Sequence, residues 1–201
     1  IALANFDGAH YLNIARNGYA GYEQAFFPLY PLVLRGITWF LGGNFTTAGV
    51  ILGILGSLGS LGLFYKLAKE EIGEKAARWA AVFFLFFPTG FFLAGFYNEG
   101  LFLCLILAGF LAIKKGWWFL AGILGGLASA TRLVGVFFGI SQIRQICQIS
   151  PIKRMLFLAF SVGGFLAYAF WLWLNYGDPL LFAHVQPAFG ANRTGGEIIF
   201  L

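Results

Sequence analysis

From Thr46 to Leu174 the chain is a run of apolar stretches separated by short clusters of lysine and arginine. A buried soluble core contains no such succession, because each stretch would need its own apolar cover. In lipid the rule reverses. Side chains need no cover, while every backbone N–H and C=O must be bonded within the segment. That leaves helices as the fold of these stretches. Composition agrees: 60% of residues are hydrophobic and 10% are charged, against about 25% charged in a soluble domain. The expected fold is therefore all-α, a polytopic transmembrane helical bundle.

The clear spans are 46–65, 79–94, 100–113 and 155–174. The second and third are shorter than the roughly 20 residues that cross a bilayer unaided. Residues 117–140 are either one long helix containing Arg132 or two short segments meeting near Thr131 and Arg132. Basic residues favour the cytoplasmic side. Lys114 and Lys115 precede this stretch, and Arg144, Lys153 and Arg154 follow it. Keeping both clusters on one side requires a hairpin with Arg132 near its outer apex. Lys66, Lys69, Lys75 and Arg78 fall on the same side. Asp7, Glu23, Glu99, Asp178 and Glu197 then face outward, and so do Arg16, Arg35 and Arg193. Acid–base chemistry is expected on that outer face.

The domain organisation follows. The chain reads as a single membrane domain over 1–201. Residues 1–45 form a first outer loop with a juxtamembrane helix at FFPLYPLVLRGITWFLGG, 46–174 hold the spans, and 175–197 form a second outer loop. Ile1 and the apolar run Ile198-Ile199-Phe200-Leu201 suggest a fragment lacking a first helix and further C-terminal helices. The net charge of +5 does not mark a nucleic-acid binder, since the basic residues lie between apolar segments and form no patch. Cys104 and Cys147 lack metal-ligand spacing, and no DxD pair, phosphate loop or HExxH occurs. No metal and no cofactor is expected. Sequons stand at Asn44 and Asn192. Gly53, Gly56, Gly59 and Gly62 recur every third residue and suit close helix packing.

Four positions could carry chemistry. Asp7 and Tyr11 share a face if FDGAHYLNIARNGY is helical, and a carboxylate there can take a proton from a hydroxyl. An acid capping a short helix is the plainer alternative. His10 lies one turn away and could assist an anion or orient Asp7. Arg132 is a cation at membrane depth, and its planar fork suits phosphate. An ion pair with Glu99 is the structural alternative. Glu99, beside Tyr97 in GFYNEGLF, could bind a sugar hydroxyl, pair with Arg132, or sit at a helix start favoured by the dipole. Asp178, before a proline, reads as turn chemistry.

Five motifs fall in order along most of the chain: FDGAHYLNIARNGY, AFFPLYPLVLR, FPTGFFLAGFYNEGLFL, GGLASATRLVGV and YGDPLLFAHVQ. In that order and spacing the chain resembles the PIG-V-like mannosyltransferases of the GT-C class of polytopic glycosyltransferases. The resemblance implies a membrane enzyme with its active site on the non-cytoplasmic face. It implies a lipid-phosphate-linked sugar donor, such as polyprenyl-phosphate mannose, and a lipid or glycan acceptor. Asp7 matches the acidic residue of the first outer loop that acts as, or supports, the base. Arg132, Glu99, His10 and Tyr97 are then expected to bind substrate. The membrane would be the plasma membrane in a bacterium and the endoplasmic reticulum in a eukaryote. A multi-spanning transporter or lipid flippase is the alternative function, because intramembrane Arg132 and Glu99 also suit a substrate path.

Overall fold

The computed structural model describes residues 6–88, 90–93, 95–142, 145 and 147–189, and every regular element among them is a helix. Arg144, Arg193, Glu197, the Asn192 sequon and the apolar end 198–201 lie outside the described residues. The N-terminal segment folds as α1 (Asp7–Asn17), a 3₁₀ turn (Glu23–Ala25) and α2 (Leu29–Phe40). Then follow α3 (Phe45–Ile72), α4 (Glu74–Phe86), α5 (Glu99–Lys114), α6 (Trp118–Ser129) and the short α7 (Phe137–Ser141). The last elements are α8 (Pro151–Tyr176), α9 (Leu181–His184) and a 3₁₀ turn (Gln186–Phe189).

Two helices, α3 and α8, are long and apolar enough to cross a membrane. At 28 and 26 residues and 1.5 Å rise per residue they run to roughly 42 and 39 Å, beyond a hydrocarbon core of about 30 Å. Only 33% and 22% of their apolar windows are buried. A core helix of a soluble protein would be mostly covered, whereas these leave their leucines and phenylalanines facing outward. Their ends are coded locally. The Asn44 side chain accepts the Thr47 N–H at 3.0 Å to start α3. Gly177 ends α8 in the left-handed region, φ 74°, with its N–H on the Trp173 carbonyl at 2.9 Å.

The apolar run expected over 79–94 is not one helix. Its helix, α4, begins earlier and stops at Phe86, and the chain continues as a 3₁₀ turn over Gly90–Leu93. Pro88 accounts for the stop: it lacks an N–H and forces the preceding Phe87 into an extended conformation, φ −61° and ψ 137°. The 117–140 stretch also divides. Helix α6 ends at Ser129, Arg132 is extended at φ −152° and ψ 144°, and a 3₁₀ turn over Leu133–Val136 leads into α7. That return passes back along α6, for the Gly135 backbone lies against Ala128 and the Phe138 ring against Gly125.

Two helix seams hold the bundle. Gly56 of α3 meets Gly100 of α5, where a Cβ on Gly56 would stand 2.9 Å from a Gly100 backbone atom. Gly59 meets Cys104, but Gly62 faces open space, so the three-residue glycine spacing is only partly a packing code. At the second seam Gly126 of α6 and Gly164 of α8 bring their backbones together. At the far end of α5, Lys114 bonds Glu71 at 2.6 Å and Glu70 at 3.0 Å, and Glu74 of α4 pairs with Lys69 and Arg78. These pairs gather the ends of α3, α4 and α5.

Candidate functional site

The site forms where α1, the start of α5 and the α6–α7 break converge. A cleft of about 340 Å³ is lined there by Asp7, Tyr11, Phe26, Asn98, Arg132 and Gln186, among others. Helix α1 delivers Asp7 and Tyr11 on one face, as their four-residue spacing requires. Asp7 is the first residue of α1, is exposed, and its carboxylate forms no hydrogen bond with any other described residue. Tyr11 is buried, and burial first, then the Asp7 carboxylate, push its phenol well above the ordinary value, while Arg132 opposes them. It stays a neutral phenol at any working pH.

Asn98 is the hinge of the cleft. Its side chain is 3% exposed and donates to Tyr11 Oη at 2.7 Å and to the Thr131 carbonyl at 3.0 Å. Its oxygen accepts from Arg132 Nη1 at 3.4 Å. One amide thus ties α1, the start of α5 and the α6–α7 break together. Arg132 Nη1 also pairs with Glu99 Oε1 at 2.5 Å. The pair occupies Nη1 only, so Nε and Nη2 of this half-exposed side chain retain their donors. Glu99 Oε2 is buried without a partner. It adjoins a separate apolar cavity of about 460 Å³ framed by Phe64, Phe83, Phe84, Phe87 and Phe92.

The other wall is fixed by tyrosines. Tyr168 Oη of α8 donates within 2.8 Å of the Gln24 carbonyl and 3.2 Å of the Phe26 carbonyl, and Tyr19 Oη donates to the latter at 2.9 Å. Phe26 stacks on the His10 ring at 4.9 Å. His10 in turn lies 3.5 Å from Glu23, a buried carboxylate that also accepts from Asn13 at 2.7 Å and from the Ala20 N–H at 3.3 Å. His10 therefore stands behind the Phe26 wall and is absent from the cleft lining. Tyr97 is buried against Phe92, with ring centroids 4.9 Å apart, and is likewise absent from it.

The structure brings Asp7 and Arg132 onto one cleft, with Glu99 backing Arg132, and adds Tyr11, which the sequence analysis placed on the Asp7 face without a role. It also adds Asn98 and Gln186, which the sequence analysis did not single out as site residues. Asn98 sat within the polar cluster before Glu99, and Gln186 closes the last of the five motifs. Both are neutral amides, and nothing in their local sequence marks them. Among the described residues no three His, Cys, Asp or Glu gather as a metal site would require.

No family model and no solved structure matches the chain. Over 112 residues, 50% of its length, it is 32% identical to a protein named GPI mannosyltransferase 2 from Drosophila pseudoobscura pseudoobscura. The matched stretch spans about a quarter of that relative's length (25%). The similarity is in keeping with the resemblance that the five ordered motifs carry to the PIG-V-like mannosyltransferases.

Proposed function

We propose that the chain is the catalytic-site part of a multi-pass membrane glycosyltransferase. It moves a sugar, taken to be mannose, from a lipid-phosphate donor to an acceptor hydroxyl on the non-cytoplasmic face. The observation that carries this reading is the joint exposure of a free carboxylate, Asp7, and a part-free guanidinium, Arg132, on one cleft. Inverting transfer asks for that pair. The acceptor oxygen bonds to the anomeric carbon as the bond from that carbon to the phosphate oxygen breaks. Asp7 takes the hydroxyl proton, and the electron pair leaves with the lipid phosphate, whose charge Arg132 offsets. Asn98 and Glu99 hold the guanidinium in place, so little reorganisation accompanies the charge shift.

The placement on the outer face has its own support. Glu99 starts α5 and Lys114 ends it, a helix of 16 residues, so the cleft and the lysine-rich end are separated by about 24 Å. If the basic end faces the cytoplasm, the cleft faces away from it.

The test uses the full-length protein in membranes with labelled polyprenyl-phosphate mannose and a membrane lipid extract as acceptor pool. Asp7→Asn at matched expression is expected to lower transfer by about 10²–10⁴. Near-normal transfer by Asp7→Asn removes Asp7 from the role of base. Absence of transfer by the wild type with this and other lipid-linked sugars overturns the glycosyltransferase reading in favour of a transporter.

A further inference from the structure

The cleft has one wall that the catalytic reading leaves unused. Gln186 reaches it from beyond α9, on the 3₁₀ turn that follows α8 and α9. Tyr11, Asn98, Thr131 and Arg132 all spend hydrogen bonds within the protein. Asp7 and Gln186 spend none with the described residues. The cleft therefore presents two side chains with capacity unused among the described residues: a carboxylate and a neutral amide offering one acceptor and two N–H donors.

The segment carrying Gln186 is held in place from three directions. Phe182 is 6% exposed and packs on Phe27 and Phe165, with ring centroids 5.5 and 5.7 Å apart. Asp178 Oδ1 accepts the Leu180 N–H at 2.9 Å, and its Oδ2 meets His184 Nδ1 at 2.6 Å. Successive backbone bonds, Ala183 to Leu180 at 2.8 Å and Ala188 to Val185 at 3.1 Å, close the turn. An exposed glutamine on a loose loop is ordinary solvated surface. A glutamine on a tail held by a buried phenylalanine, a carboxylate–imidazole pair and the turn's own backbone bonds is placed.

We propose that Gln186 recognises hydroxyl groups of the transferred sugar, with Phe182 and the Asp178–His184 pair positioning it. This rests on the glycosyltransferase reading and deepens it by naming the sugar subsite. A neutral amide fits that ligand. It can donate to one hydroxyl and accept from its neighbour without drawing in the phosphate, which the guanidinium side of the cleft attracts. Ligand sites owe their orientation to a few such polar groups on apolar walls, and Phe26 and Phe27 supply the apolar walls here.

The experiment places Gln186→Cys in the full-length protein in membranes and follows its labelling by a charged maleimide. The wild type serves as the blank, because Cys147 is exposed. Polyprenyl-phosphate mannose is expected to slow labelling several-fold, and polyprenyl phosphate without the sugar to leave it unchanged. Equal slowing by both, or by neither, overturns the proposal. In parallel, Gln186→Ala is expected to raise the KM for the mannosyl donor about tenfold, the worth of about one hydrogen bond, and to shrink the penalty of one deoxymannosyl donor. An unchanged KM with every deoxy penalty intact overturns it as well. Sugar-dependent protection without wild-type turnover sinks the transfer reading and keeps the sugar subsite. Turnover without sugar-dependent protection does the reverse.

Discussion

Gly163 and Gly164 are neighbours on α8, yet the structure gives them opposite surroundings. A Cβ on Gly163 meets nothing within 4 Å. A Cβ on Gly164 would stand 2.0 Å from the Gly126 carbonyl oxygen, 2.8 Å from Ala130 Cβ and 2.9 Å from Ala130 N. The atoms in the way are the backbone of α6 and of its C-cap Ala130, with that residue's Cβ, so no flexible side chain can swing aside, and the two helices must part by more than 1 Å to reach an ordinary contact (~3.4 Å). Overpacking of this kind costs about 1–3 kcal/mol. Against it stands the helix preference for alanine over glycine, about 1 kcal/mol in favour of either substitution. Gly163→Ala should therefore stabilise by up to about 1 kcal/mol, and Gly164→Ala should destabilise by up to about 2 kcal/mol. The assay is equilibrium unfolding of each variant in mixed micelles, followed by tryptophan fluorescence. Equal midpoints, or a Gly164→Ala variant more stable than the wild type, would refute the α6–α8 seam described here.

Three further outcomes follow from the site. Asn98→Ala removes three hydrogen bonds and leaves the Thr131 carbonyl without its side-chain partner, so unfolding stability should fall by about 2–3 kcal/mol; a loss below about 0.5 kcal/mol in the same micelle titration would deny Asn98 its hinge role. Glu99→Gln frees Arg132 from its carboxylate, so polyprenyl phosphate should inhibit transfer several-fold more strongly at low salt, with stability lowered by only about 1 kcal/mol because the pair is half-exposed; an unchanged inhibition constant would show that Arg132 does not meet the phosphate. His184 beside Asp178 holds that carboxyl below its usual range, so the pair stabilises the segment above the unfolded value of about 3.9 and the contribution fades as pH falls through the lower folded value. Proteolysis around 178–189 should then quicken below about pH 4 in the wild type, and Asp178→Asn should cleave readily at all pH values with no such step.

Much of the fold was legible because its signals are local. Helices α3 and α8 announce themselves by length and apolarity. The α6–α7 break was legible from charge placement, since two basic clusters on one side demand a return between them. The end of α4 was not read, although Pro88 was in plain view. Apolarity continues to Ala94 regardless of whether the backbone stays helical, and hydropathy does not count hydrogen bonds. In the site, Asp7 and Tyr11 were legible from a four-residue spacing within one helix. His10, three positions from Asp7, turns toward Glu23, and the reason lies in the 3₁₀ turn that buries Glu23 beside α1. Asn98 escaped notice because its partners, Tyr11 and Thr131, are far away in sequence and are met only through the bundle.

The packing and the chemistry are linked through one short piece of backbone. Gly126 accepts the Ala130 N–H at 3.0 Å, and its carbonyl is the group against which Gly164 packs. The Ala130 carbonyl receives the Leu29 N–H at 2.9 Å, which docks α2, and the next carbonyl, that of Thr131, receives Asn98. Arg132 follows directly. Gly126, Ala130 and Thr131 thus anchor this stretch to α8, to α2 and to the start of α5 before the guanidinium leaves the backbone. A charged side chain near lipid is costly to hold in one direction by its own contacts, since a long flexible stem loses entropy when fixed. Here the stem starts from a backbone already fixed by its neighbours, so the Glu99 pair and the Asn98 amide need to orient only the terminal group. The small residues of the α6–α8 seam are in this sense part of the site, although none of them touches the cleft.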